Sequence, residues 1–128
     1  MRKTIEIDGR NVQLASHGAT AIFYRKEFGS DFFADIISLA KGFGDAGKGE
    51  RIELSDLDLE TLDLTVIYQL TYIFAYCANK DIPPYIEWLE SFEEFPIAVV
   101  MEPIIELMYS LLERKKKQKM ISTQVTKN

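Results

Sequence analysis

The sequence predicts a mainly helical protein: a small N-terminal β-hairpin packed on a bundle of about five helices, set around a buried central helix. Three observations predict this. The fifteen residues from Leu64 to Ala78 (LTVIYQLTYIFAYCA) carry no charge. That run is too long for one strand and shorter than the roughly 18–20 apolar residues of a membrane span. Gln69, Thr65 and Thr71 also argue against lipid, so it reads as a helix apolar nearly all round and therefore buried. Apolar residues recur at helical spacing on both sides of it. Ahead of them, Lys3–Leu14 alternates apolar and polar residues about an Asp8–Gly9 turn.

The hairpin comes first. Ile5 and Ile7 alternate with Thr4, Glu6 and Asp8, and Val12 and Leu14 alternate with Asn11 and Gln13. Two strands alone are marginal in water, so their apolar face must lie against helices. A helix follows from about Ala19 to Phe28, capped by Thr20 or by Ser16, with Ala19, Ile22, Phe23 and Phe28 as its apolar stripe. Gly29 stands where a left-handed residue ends a helix. Ser30 or Asp31 caps a second helix to about Lys41, whose inner face carries Phe32, Phe33, Ile36, Ile37 and Ala40, with Leu39 at its edge and Gly42 at its end.

Residues 43–52 hold three further glycines and read as a flexible loop. Ser55-Asp56-Leu57-Asp58 starts the long helix, about Leu57 to Asn79, with its acids at the positive end of the helix dipole. Pro83 and Pro84 block its continuation. Pro84 opens a short helix to about Ser91, turning Ile86, Trp88 or Leu89, and Phe92 inward. The last helix runs from about Pro96 to Lys115, with Val100, Met101, Ile104, Ile105, Leu107, Met108, Leu111 and Leu112 on a broad apolar stripe. Pro103 lies inside it and either kinks it or starts a new helix capped by Glu102. Beyond Lys119 periodicity stops, so residues 1–114 form one domain, with the hairpin at about 3–14, and residues 115–128 a basic, disordered tail.

A chain of 128 residues buries roughly two-thirds of its unfolded surface, enough for a core without staples. The single cysteine, Cys77, falls in the apolar run, which rules out an intrachain disulfide and suits a reducing compartment. Met1–Glu6 has no apolar stretch, and no signal peptide is expected. The net charge of −5 is unevenly spread: Glu113–Asn128 has six bases and one acid, while Ile52–Leu112 has twelve acids and only Lys80 as a base. An acidic body repels nucleic acid, so none is expected as a partner, and the basic end is a solvated tail or a docking arm for an acidic partner.

Several groups approach chemistry without reaching it. Gly42-Phe43-Gly44-Asp45-Ala46-Gly47 matches G-x-G-x-x-G, and Gly42–Lys48 matches the first seven positions of a P-loop. Gly49 then replaces the magnesium-binding hydroxyl residue, a helix rather than a strand precedes the loop, and an acidic run follows it, so a solvated loop is the better reading. A nucleotide-binding enzyme is accordingly the last-ranked function. His17, the only histidine, reads as a turn or capping residue. Cys77 lacks a basic neighbour and reads as core packing. Glu102 and Glu106, and likewise Glu90 and Glu94, fall on one helical face and read as wet surface. No catalytic, cofactor-binding or metal-binding residue is expected. Trp88, Phe92 and Phe95 have two readings: buried core, or a partly exposed aromatic groove that accepts a partner helix. With the basic run Lys115, Lys116 and Lys117, they are the candidate partner-binding residues.

Four segments in this order resemble the tail assembly chaperones of long-tailed phages and prophages of Gram-positive bacteria. Lys3-Thr4-Ile5-Glu6-Ile7-Asp8-Gly9 resembles the family's opening hairpin, and Tyr24-Arg25-Lys26-Glu27-Phe28-Gly29-Ser30-Asp31 its Y-[RK]-x-x-F-G-x-D helix break. Leu59–Ala78 resembles its long apolar helix, and Trp88-Leu89-Glu90-Ser91-Phe92 with the last helix and basic tail its closing half. The resemblance spans about residues 3–118 and implies a non-enzymatic protein of the host cytoplasm, absent from the finished virion. Its partners would be the tape-measure protein, which it coats and keeps soluble, and tail-tube subunits, which it recruits; weak self-association is a separate expectation. A programmed ribosomal frameshift near Lys115–Lys117 and a longer product are also implied. The alternative is a small acidic adaptor or regulatory domain of phage or bacterial origin.

Overall fold

The structure, a computed structural model, describes residues 1–43 and 63–126, and the side chains of residues 1–42 and 63–112. It is mostly helical, with a two-stranded antiparallel hairpin at the N-terminus. The order is β1 (Arg2–Ile7), β2 (Arg10–Ala15), α1 (Thr20–Phe28), α2 (Phe32–Phe43), α3 (Leu64–Ala78), α4 (Tyr85–Glu90) and α5 (Ile97–Thr126). The expected loop at 43–52 and the expected start of the long helix near Leu57 lie outside the described residues, apart from Phe43.

The hairpin closes on two residues with positive φ, Asp8 at 53° and Gly9 at 74°, the pairing that suits the twist of a two-residue turn. The register sets Ile5 opposite Val12, Lys3 opposite Leu14 and Ile7 opposite Arg10. Ile7, Val12 and Leu14 are buried and Ile5 half-buried, so one face of the ribbon enters the core. β2 lies against α3, and α5 lies against β1.

α1 ends on Gly29 at φ 75°, whose N–H donates to the Arg25 carbonyl. Asp31 then caps α2 through its carboxylate, which accepts from the Ala34 N–H at 2.8 Å. The face α1 buries differs from expectation. Ile22 is 62% exposed, while Thr20 and Tyr24 are buried. Neither Thr20 nor Ser16 caps α1: Thr20 is its first residue, and its hydroxyl accepts from the His17 N–H. On α2, Leu39 is buried and Ile37 exposed, the reverse of the expected arrangement.

α3 begins at Asp63, whose carboxylate accepts from the Thr65 N–H at 3.0 Å. Val66, Ile67, Leu70, Thr71, Tyr72, Ile73, Phe74, Ala75 and Cys77 are buried. Its buried hydroxyl is satisfied locally, since Thr71 donates to the Ile67 carbonyl at 2.7 Å. The helix stops at Asn79, whose extended backbone (φ −152°, ψ 104°) and side-chain bond to the Asp81 N–H turn the chain toward Pro83 and Pro84. No helix among the described residues is long and apolar enough to cross a membrane.

Pro103 lies inside α5, which is a single helix. Its backbone also continues past the expected end near Lys115 to Thr126, through the segment expected to be disordered. No glycine or proline occurs between Pro103 and Thr126, and Glu, Arg, Lys, Gln and Met are good helix formers.

Candidate interaction site

The aromatic corner is built by the two prolines after α3. Pro84 stands at the N-cap of α4 with ψ 161°, and its carbonyl accepts from the Trp88 N–H at 2.8 Å. This single short turn swings Trp88 under the helix, while Ile86, expected inward, points to solvent at 58% exposure. Trp88 meets Tyr72 at 5.6 Å, Phe92 at 5.0 Å and Phe95 at 6.3 Å between ring centroids. Tyr72 anchors the corner from α3 by donating its hydroxyl to the Pro83 carbonyl at 2.9 Å. The network extends through Tyr85 to Phe28 on α1 and through Phe95 to Tyr68 on α3.

Trp88 is 2% and Phe92 6% exposed, so these two side chains belong to the core and do not line an open groove. Phe95 is half-buried against the same cluster. The hairpin turn covers the corner. Arg10 lies over the Phe92 ring at 4.1 Å, and its guanidinium donates to both the carbonyl and the hydroxyl of Ser91 at 3.1 Å. Asp8 accepts from the Glu93 N–H at 3.0 Å. These contacts span more than eighty residues of sequence, which is why the local pattern of α4 could not reveal them.

A second joint lies where α1, α2 and α3 meet. The buried Tyr24 hydroxyl donates to Asp35 at 2.7 Å and lies 3.0 Å from the Gln69 side-chain oxygen, while Ser30 donates to the same Asp35 oxygen at 2.7 Å. Burial, reinforced by the Asp35 hydrogen bond and charge, pushes the Tyr24 phenol far above its ordinary value. Asp35, absent from the expected site residues, thus takes the single proton of a buried tyrosine, and with Gln69 beside the same hydroxyl the joint brings three helices together.

The remaining candidates resolve as follows. His17 accepts the Ala19 N–H on Nδ1 at 3.1 Å and so shapes the turn into α1. Cys77 is buried against the Thr20 hydroxyl at 3.3 Å, and burial raises its thiol above the usual range, so it stays protonated at neutral pH. Glu90 ends α4 and Glu94 lies beyond it, so the two do not share a helix. Glu102 and Glu106 do share the outer face of α5. Lys115, Lys116 and Lys117 lie on the backbone of α5. Among the described residues no group of three or more His, Cys, Asp or Glu side chains could hold a metal ion.

Beside the hairpin the surface is open. A cleft of about 370 Å³ runs between β1 and α5, lined by Lys3, Thr4, Ile5 and Glu6 on one side and Val99, Glu102, Pro103 and Glu106 on the other. Lys3 forms an ion pair with Glu106 across it. Val99 is 58% exposed there, and Pro103, lacking an N–H, leaves the Val99 carbonyl without its helical donor. The cleft joins the apolar Val99 and Pro103, a carbonyl that the proline N leaves without its i+4 donor, and surplus acid. No protein-family profile, curated protein or solved structure matches this chain.

Proposed function

We propose that this chain is a tail assembly chaperone, which binds the tape-measure protein in the host cytoplasm, helps recruit tail-tube subunits to it and is left out of the virion. The observation that carries the reading is the order of four segments: the Lys3–Gly9 hairpin, the Tyr24–Asp31 helix break, the long apolar helix ending at Ala78, and the Trp88–Phe92 corner. In this chain the helix break supplies the positive-φ Gly29, the capping Asp31 and the Tyr24 hydroxyl that meets Asp35. The segment is therefore a joint of the fold, and a likeness in it supports a shared architecture with α3 as its central scaffold. The role is non-enzymatic. It requires exposed surface for weak, repeated contacts, and an acidic body that resists aggregation. Lys115, Lys116 and Lys117 remain the proposed docking arm.

Co-expression with the tape-measure protein encoded nearby is the test. A soluble complex recovered through a tag on either protein is expected. A tape-measure protein that stays insoluble and uncaptured would refute the reading. The charge imbalance of the body also fits an adaptor for a basic host protein, which a gene neighbourhood without tail genes would favour.

A further inference from the structure

We infer that the outer edge of β1 is a self-pairing surface: two copies of this chain join antiparallel through β1, centred on Thr4, to make one four-stranded sheet. The inference rests on the strand edge and not on the chaperone reading. Met1 and Ser16 exchange both backbone hydrogen bonds, Ser16 N–H to the Met1 carbonyl at 2.9 Å and the Met1 amine to the Ser16 carbonyl at 3.2 Å. In an antiparallel ribbon such pairs recur every second residue, so Lys3, Ile5 and Ile7 turn their backbone groups toward β2. Arg2, Thr4 and Glu6 therefore turn theirs outward, and among the described residues no strand pairs with that edge. An unpaired edge of this kind is a template for another strand.

Charge along the edge selects the occupant. Edge charges usually oppose pairing, but here they are complementary about Thr4. Antiparallel self-pairing sets Thr4 opposite Thr4 of the second copy, and Arg2 opposite its Glu6 twice over, all with exposed side chains on the solvent face. On the inner face the same register brings Lys3 and Ile5 of the second copy to the cleft beside β1. There Glu102 and Glu106 outnumber the single Lys3, and Val99 and Pro103 offer apolar surface. Thr4 lines that cleft, so the space beside the strand is open to a neighbour.

The test is sedimentation equilibrium of the full chain from micromolar to millimolar concentration, with three charge variants and a backbone variant. The wild type is expected to form a reversible dimer. Arg2→Glu or Glu6→Arg alone puts like charges opposite each other at both sites and should weaken the dimer by roughly tenfold or more. The double exchange Arg2→Glu/Glu6→Arg should restore it, and an equimolar mixture of the two single variants should form a heterodimer. Thr4→Pro removes the outward N–H and blocks the edge, which a monomer tolerates. It should abolish dimerisation while the circular dichroism spectrum stays unchanged. A wild type that is monomeric throughout, single variants that dimerise as well as the wild type, or a double exchange that does not restore pairing would each overturn the proposal. Capture of a foreign extended peptide at the edge by a monomeric wild type would overturn it in favour of that occupant.

Discussion

The aromatic corner and the β1–α5 cleft lie on either side of the same hairpin, and they differ in how their polar groups are satisfied. In the corner every element closes on another: Tyr72 reaches the Pro83 carbonyl, Arg10 covers Phe92 and donates to Ser91, and Asp8 holds the Glu93 N–H. At the cleft the outer edge of β1 pairs with no strand among the described residues, and Pro103 has no N–H to offer the Val99 carbonyl. Concentrated aromatic residues mark a place the chain uses for itself. The open surface beside β1 instead carries surplus acid together with the apolar Val99 and Pro103.

The comparison breaks most readily at Trp88. Trp88→Ala should cost about 3–5 kcal/mol of stability in denaturant unfolding, whereas Glu102→Ala in the cleft should stay within about 0.5 kcal/mol of wild type. Equal effects at the two positions would erase the distinction. Tyr24→Phe should cost about 1–3 kcal/mol, because the Asp35 carboxylate loses a buried donor.

The same tyrosine makes a signed statement about pH. Its folded value is raised, so the unfolded chain, near 10.0, loses the proton first. Stability from Tyr24 is therefore complete below pH 10 and declines as pH rises further. Tyr72 and Tyr85, raised mainly by burial, act in the same direction, and Cys77 does so from its ordinary value of 9.0 upward. Thermal melting should accordingly move downward on the alkaline side of about pH 9, less steeply in Tyr24→Phe. A melting temperature that holds steady to pH 11 would contradict the burial of these groups.

Arg10→Ala should cost about 1 kcal/mol, the combined effect of its cation–π contact and its two exposed hydrogen bonds to Ser91. Disrupting the Lys3–Glu106 pair by Glu106→Gln should cost no more than a few tenths of a kcal/mol, because both side chains reach solvent. If Glu106→Gln proved the more damaging of the two, the cleft rather than the corner would be the structural joint.

What could be read in the sequence was local. Asp8–Gly9, Gly29, Asp31 and the stop after Ala78 each depend on a backbone conformation or a cap that neighbouring residues specify. What could not be read depended on distant partners. Tyr24 replaces Ile22 in the core because Asp35, eleven residues away, accepts its hydroxyl proton, with Gln69, forty-five residues away, beside it. Trp88 and Phe92 fit a core or a groove until Arg10 is brought over Phe92 and Asp8 onto the Glu93 N–H. The cleft could not be anticipated, since it needs the hairpin register and the lie of α5 together.

Trp88 is the only tryptophan, so its fluorescence reports on the corner alone. The most direct measurement is acrylamide quenching of the isolated, folded chain. A blue-shifted emission, quenched far less than in denaturant, is the expected result. A native emission as red and as strongly quenched as that of the unfolded chain would show the corner open to solvent, and would return Trp88, Phe92 and Phe95 to the role of a binding groove.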